Sequence, residues 1–236
     1  MPEHGHTRGE IAARIGAPPG RGLLRDAVYG GIDGAVTTFA IVAGVAGAGL
    51  SPFIVVALGL ANVLADGFSM AAANYSGTKA DLDNIRRIRK IEERHIRDFP
   101  EGEWLEVREI LSRKGLKGRV LDQATDAITQ DKESWISIML EGEYGVGGVD
   151  PRPLHAAVAT FLAFLLAGMI PLLPFLIEVN DAFAASAVMT MATFFAIGAA
   201  KNLWSLNSWW RSAIETSLIG GAAAMLAYGV GTLFHV

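Results

Sequence analysis

Apolar residues gather in five long runs along this chain, at 27–50, 52–73, 155–177, 182–204 and 213–234. A helix needs about 20 apolar residues to cross roughly 30 Å of hydrocarbon, so each run is expected to form one membrane span. Past the second run the pattern changes. Charged residues recur at helical spacing through Asp81, Arg86, Arg89, Lys90 and Glu93, which predicts that the second helix continues out of the bilayer to about Arg97. Asp98-Phe99-Pro100 ends it, and Pro100 is suited to open the next helix. Three amphipathic helices are then expected, at 101–114, 116–129 and 132–144, with Gly115 as a C-cap and Asp131 as an N-cap. A Gly- and Pro-rich linker follows, and Pro171 and Pro174 should kink the third span. The expected fold class is an all-α membrane protein, with five transmembrane helices and a cytoplasmic helical insert between helices 2 and 3.

The polar positions inside the first two spans are what an inert anchor would lack. The first carries Asp33 within Tyr-Gly-Gly-Ile-Asp-Gly-Ala-Val, with Asp26 two turns earlier on the same face and Thr37 and Thr38 one turn further in. The second carries Asn62, Asp66, Met70 and Asn74, each four residues from the next, so they form one slowly drifting stripe. A carboxylate near mid-membrane costs about 2.5–3.5 kcal/mol and is ordinarily retained for ion or proton handling. No Lys or Arg stands between Arg25 and Lys79 to neutralise Asp33. Asp26, Asp33, Asn62, Asp66, Met70 and Asn74 are therefore candidates for a cation path. The plainer account is that Asn62 and Asn74 only hydrogen-bond between helices and that Met70 only packs. Gly30, Gly31 and Gly34 around Asp33, and Gly220, Gly221, Gly229 and Gly231 in the fifth span, predict close helix packing.

Composition narrows the class. Of 236 residues, 51% are hydrophobic, and mean hydropathy is +0.35, too apolar for an ordinary soluble domain. There is no cysteine, which excludes disulfides and thiolate metal sites. Net charge is −4, but 14 of the 20 Lys and Arg and 16 of the 24 Asp and Glu lie between Lys79 and Arg152. The expected domains are a disordered tail at 1–22, transmembrane helices 1–2 at 23–78, the charged insert at 79–152 and transmembrane helices 3–5 at 153–236. The tail has no apolar core preceded by basic residues, so no cleavable signal peptide is expected, and His4 and His6 are read as part of a floppy segment. The insert and the loop from Lys201 to Arg211 carry the positive charge, whereas the turn from Glu178 to Asp181 has no Lys or Arg. This places the N-terminus and the insert in the cytoplasm and the C-terminus on the far side, by the preference of basic loops for the cytoplasmic face. Trp204, Trp209 and Trp210 read as an interfacial belt, and Glu215 is expected to pair with Arg211.

The insert also holds clusters of metal-ligand type. Glu92 and His95 are three apart on one helix; Glu103, Glu106 and Glu109 follow at threes on the next; Met139 and Glu143 are four apart on the last. Carboxylate and imidazole suit Fe(II), Mn(II) and similar divalent ions. Against this, charged residues on soluble helices usually face solvent, and Arg94, Arg97 and Arg108 are near enough in sequence to neutralise many of these acids. The run Arg86-Arg87-Ile88-Arg89-Lys90 is either a solvated face or a contact for anionic headgroups.

Tyr29-Gly-Gly-Ile-Asp33-Gly-Ala-Val-Thr-Thr-Phe, Leu64-Ala-Asp66-Gly-Phe-Ser-Met70-Ala-Ala-Ala-Asn74-Tyr and Trp135-Ile-Ser-Ile-Met139-Leu-Glu-Gly-Glu143-Tyr-Gly resemble the signatures of the vacuolar iron transporter family, in a bacterial-type member. The resemblance covers about residues 22–236. It implies a homodimer of five-helix subunits that exports Fe(II) or Mn(II) from the cytoplasm in exchange for protons. Asp33 and Met70 match translocation-path residues. The insert matches a metal-binding domain, with Glu92, Glu103, Glu106, Met139 and Glu143 at ligand-like positions. His95 stands where a further glutamate is expected, and Asn74 where many relatives carry Glu. The expected partners are membrane lipid, Fe(II) or Mn(II) as substrate, protons and a second copy of the chain, with no nucleic acid, no covalent cofactor and no enzymatic reaction, in a bacterial inner membrane. Two rival functions fit the same residues: a passive channel or other cation exchanger, and a membrane-anchored sensor or store in which the spans serve only as anchor. The intramembrane Asp33 and Asp66 favour transport, because a sensor does not need them.

Overall fold

The computed structural model describes residues 6–16, 23–146, 151–201 and 208–234. Among these, every regular element is helical: α1 (Arg8–Gly16), α2 (Leu23–Gly47), α3 (Pro52–Asp98), α4 (Pro100–Arg113), α5 (Gly118–Thr129), α6 (Lys132–Gly142), α7 (Pro153–Met169), a 3-10 turn (Ile170–Leu172), α8 (Leu173–Leu176), α9 (Ala182–Ala200) and α10 (Trp209–Thr232). Five stretches are long and apolar enough to cross a membrane, namely α2, α3, Pro153–Leu176, α9 and α10. The chain divides into two compact units. One comprises residues 22–77 and 153–236, the other residues 1–21 and 78–152.

In the apolar unit α2 is the central helix, packed by α7, α10 and α9. Small residues allow this. A Cβ on Gly30 would meet the carbonyl of Thr160, and one on Gly34 the carbonyl of Phe164, so α2 and α7 lie backbone to backbone. The core joins Phe39, Val42 and Val45 of α2 to Val55 and Val63 of α3 and to Leu172. The third span breaks as its prolines predict: its α-helix gives way at Ile170 to a 3-10 turn holding Pro171. The carbonyl of Pro171 accepts the buried Ser186 hydroxyl at 2.7 Å. In α10 only half of the expected glycine face packs. Gly220 lies under Phe194 and Gly231 against the Gly44 backbone, but Gly221 and Gly229 face open space. Arg211 also departs from expectation. Its guanidinium lies 5.4 Å from the centre of the Trp210 ring instead of pairing with Glu215. Trp209 and Trp210 are half exposed, and Trp204 lies outside the described residues.

In the charged unit α3 runs without a break to Asp98, and Pro100 opens α4. Gly115, at φ +101°, turns the chain out of α4, a conformation open to glycine without steric cost. Asp131 caps α6 by accepting the Ser134 N–H at 2.9 Å. The three short helices close on a core of Val107, Leu111, Leu121, Trp135 and Met139. Each such side chain, fully buried, contributes about 1.5–3 kcal/mol. The tail expected to be disordered is helical over Arg8–Gly16. Thr7 and Glu10 form a reciprocal cap there: the Thr7 N–H donates to Glu10 at 3.0 Å, and the Thr7 hydroxyl accepts the Glu10 N–H at 3.4 Å. Residues 1–5, including His4, and 17–22 lie outside the described residues; His6 is exposed.

Candidate metal site and cation path

The insert brings Glu92 and His95 of α3 together with Glu103 of α4; one ligand atom from each lies within 4.8 Å of the others. The elements dictate this. Glu92 and His95 are one turn apart on α3, and the break at Asp98 to Pro100 folds α4 back so that Glu103, in its first turn, faces them. Nδ1 of His95 is 3.4 Å from Oε1 of Glu103. Glu92 is fully buried and Glu103 is 4% exposed. Oε2 of each is buried without a hydrogen-bond partner. A buried carboxylate oxygen with nothing to accept is costly unless a cation meets it.

The neighbouring arginines do not supply that cation. Arg97 bonds Asp98 at 2.8 Å, Arg108 bonds Asp122 at 2.8 Å, and Arg89 bonds Glu133 at 2.6 Å and Glu93 at 3.3 Å. The carboxyl of Glu103 is accordingly pushed up to about 7, first by burial and then by repulsion from Glu106 and Glu92. Glu143 is raised as well, through burial and the charges of Glu106 and Glu92. Glu106 and Glu143 thus act on the cluster electrostatically, and both line an open groove of about 560 Å³. Glu109 lines the same groove, but like Met139 it stands outside the Glu92, His95 and Glu103 cluster. Glu109 is turned into an ion pair with Arg113 at 2.9 Å. Met139 is fully buried in the apolar core beside Val107 and Leu111.

In the apolar unit the candidate path residues Asp26, Asp33, Asn62, Asp66, Met70 and Asn74 are all half-buried. Asp33 lies within electrostatic reach of Asp66. The Asn62 amide donates to the Thr37 hydroxyl at 3.4 Å, and that hydroxyl donates to the Asp33 carbonyl at 2.9 Å. Asn74 ties three helices: its amide donates to Asp26 Oδ1 at 3.1 Å, to the Thr160 hydroxyl at 2.7 Å and to the Ala156 carbonyl at 3.4 Å. Both asparagines therefore do bond between helices, and they do so on the very residues that flank Asp33.

The profile of the VIT family matches residues 24–232, nearly the whole chain. The chain belongs to the VIT family. Among curated relatives, vacuolar iron transporter 1 of Arabidopsis thaliana is 35% identical over 209 residues, covering 87% of this chain and 84% of the relative. Vacuolar iron transporter 1 of Eucalyptus grandis is 33% identical over 211 residues, covering 88% and 85%. The vacuolar iron transporter of Toxoplasma gondii is 32% identical over 225 residues, covering 90% and 74%. With five apolar helices this VIT-family chain is a multi-pass membrane protein.

One contact of the site escapes a reading by spacing. The Tyr144 hydroxyl donates to Oε1 of Glu92 at 3.0 Å. Burial and the facing Glu92 hold the Tyr144 phenol above its ordinary range, so it remains a donor. Tyr144 is 52 residues from Glu92, and only its place directly after Glu143 hinted at it.

Proposed function

We propose that this VIT-family protein is a divalent-metal transporter that moves Fe(II) or Mn(II) out of the cytoplasm in exchange for protons. Its insert collects the ion at Glu92, His95 and Glu103, with Glu106 and Glu143 at the mouth. Iron as cargo follows the names of the relatives; manganese follows from the carboxylate–imidazole donor set, which discriminates little between the two. The observation that carries the reading is the pair Asp33 and Asp66, within electrostatic reach of each other in a stretch with no Lys or Arg between Arg25 and Lys79. Competition at such carboxylates couples two fluxes: an arriving ion displaces a proton, and an arriving proton displaces the ion. Met70 adds a soft contact that favours Fe(II) over Mg(II) and Ca(II). The half-buried positions of Asp33, Asp66 and Met70 within one subunit fit a path completed by a second copy, so the working unit is a homodimer. The N-terminus and insert are cytoplasmic, in keeping with the concentration of Lys and Arg in the insert and the Lys201–Arg211 loop.

The test is flux of Fe(II) and Mn(II) in proteoliposomes with and without a pH gradient. The wild type should acidify or alkalinise the lumen in step with metal movement. Asp33→Asn should abolish both fluxes, and Met70→Ala should slow transport and loosen selectivity. Transport by Asp33→Asn at the wild-type rate, or metal flux with no linked proton movement, would refute the mechanism. Metal binding without flux in the wild type would favour the sensor or store.

A further inference from the structure

Tyr144 stands two residues beyond the end of α6, and its position is fixed from two directions. Gly145, at φ +67°, turns the chain, and the Val146 N–H returns to the Leu140 carbonyl at 3.0 Å. Val146 then packs on the cluster of Ile88, Ile136 and Leu140. Ile88 lies one turn before Glu92 on the same face of α3. The segment therefore grips α3 through an apolar anchor and, one turn along, through the Tyr144–Glu92 hydrogen bond. The two oxygens of Glu92 end in different states: Oε1 accepts the phenol at 3.0 Å, and Oε2 is buried with no partner.

We infer that Tyr144 is a positioning residue that sets the ion selectivity of the insert, by occupying Oε1 of Glu92 and leaving Oε2 as the single unshared oxygen this carboxylate offers to a metal ion. The inference rests on the assignment of Glu92, His95 and Glu103 as a metal site. Its consequence follows from coordination chemistry. Ca(II) takes six to eight oxygens and commonly draws both from one carboxylate, whereas first-row divalent ions accept fewer ligands, including imidazole. Two-oxygen binding by Glu92 makes the ion share Oε1 with the Tyr144 hydroxyl, which draws electron density from that oxygen and weakens the second Glu92 bond to the metal. One-oxygen binding leaves the Tyr144 hydrogen bond intact and finds the carboxylate already oriented. The hydroxyl thus favours Mn(II), Fe(II) and Co(II) and opposes Ca(II). Loss of an outer partner of this kind ordinarily lowers metal affinity by about 10- to 100-fold.

The experiment uses the full-length protein in detergent micelles at fixed pH. Mn(II) binding is followed by the electron paramagnetic resonance of the free ion, with Ca(II) as competitor, and Co(II) is used as an absorption probe. Tyr144→Phe should bind Mn(II) about tenfold more weakly or worse, Ca(II) no more weakly, and should alter the visible Co(II) bands. A merely structural role for Tyr144 would weaken both ions alike and leave their ratio unchanged; that result, or a wild-type Co(II) spectrum, overturns the inference. Glu103→Gln is measured in parallel. If it binds Mn(II) as the wild type does, the metal-site assignment falls and the role of Tyr144 with it. If it loses Mn(II) while Tyr144→Phe keeps the wild-type Mn(II)/Ca(II) ratio, the role of Tyr144 falls alone.

Discussion

Glu103→Gln should do two opposite things: stabilise the metal-free insert and abolish its metal binding. Glu103 is 4% exposed, and Glu106, Glu92 and Glu143 repel it, with His95 the one cationisable neighbour in its cluster. Its carboxyl is moved from the ordinary 4.5 to about 7 in the folded protein. A folded acid with a raised value binds more protons than its unfolded counterpart between those limits, so stability falls as pH rises from 4.5 to 7. Fully expressed, that displacement corresponds to about 3 kcal/mol at pH 8 and about 1 kcal/mol at pH 5.5. Gln keeps the size and a donor for Glu92 but cannot ionise, so the variant should recover most of this penalty at pH 8 and little at pH 5.5. The measurement is amide hydrogen exchange of α4 and α6 in the full-length protein without metal, each variant compared with wild type at the same pH. Exchange at Val107 and Met139, in the core, should slow by about 100-fold at pH 8 if those amides open with the whole unit. Saturating Mn(II) should slow exchange in the wild type and leave the variant unchanged. Equal exchange rates at pH 8 for metal-free wild type and variant would refute the idea that ionised Glu103 opposes the folded state.

The same carboxyl gives a second expectation. Mn(II) affinity of the wild type should drop as pH falls from 8 to 6, with proton release on binding near pH 7, because ligands must be deprotonated; calorimetry in buffers of different ionisation enthalpy counts those protons. In the apolar unit, Gly34→Ala would force a methyl into the Phe164 carbonyl and should cost about 1–3 kcal/mol or more, read as a lower melting temperature in detergent, whereas Gly221→Ala, where space is open, should be neutral within about 0.5 kcal/mol.

The sequence makes most of the fold legible because both solvents leave strong signatures. Runs of about 20 apolar residues have few alternatives to spanning helices, and Pro100, Gly115 and Asp131 mark the helix ends of the insert by local chemistry. Glycine faces were harder to read. Gly30 and Gly34 do mark a backbone contact, but Gly221 and Gly229 share the composition of a packing face with nothing against them among the described residues. Spacing gives the side of a helix and not what stands opposite. The capped helix Arg8–Gly16 was hidden by its polar surroundings, although Thr7 and Glu10 hold the capping spacing in plain sight.

In the candidate metal site the limit is competition for charge. From spacing, Glu92, Glu103, Glu106 and Glu109 are equivalent acids among several arginines, and a solvated, mutually neutralised surface is the ordinary outcome. The fold separates them. Arg113 takes Glu109, Asp122 takes Arg108, Asp98 takes Arg97, and Glu92 and Glu103 are left buried with an unpartnered oxygen each. The decision lies in pairings between helices, which no single-helix period reports. Tyr144 belongs to the same category. Its phenol reaches Glu92 only because Gly145 turns the chain and Val146 finds the Ile88 cluster. An unneutralised buried pair is a poor way to stabilise a helical insert, since apolar residues of similar volume would do better. Its retention alongside an oriented Glu92 is what a site that waits for a cation requires, and the cost of keeping it empty is the quantity that Glu103→Gln measures.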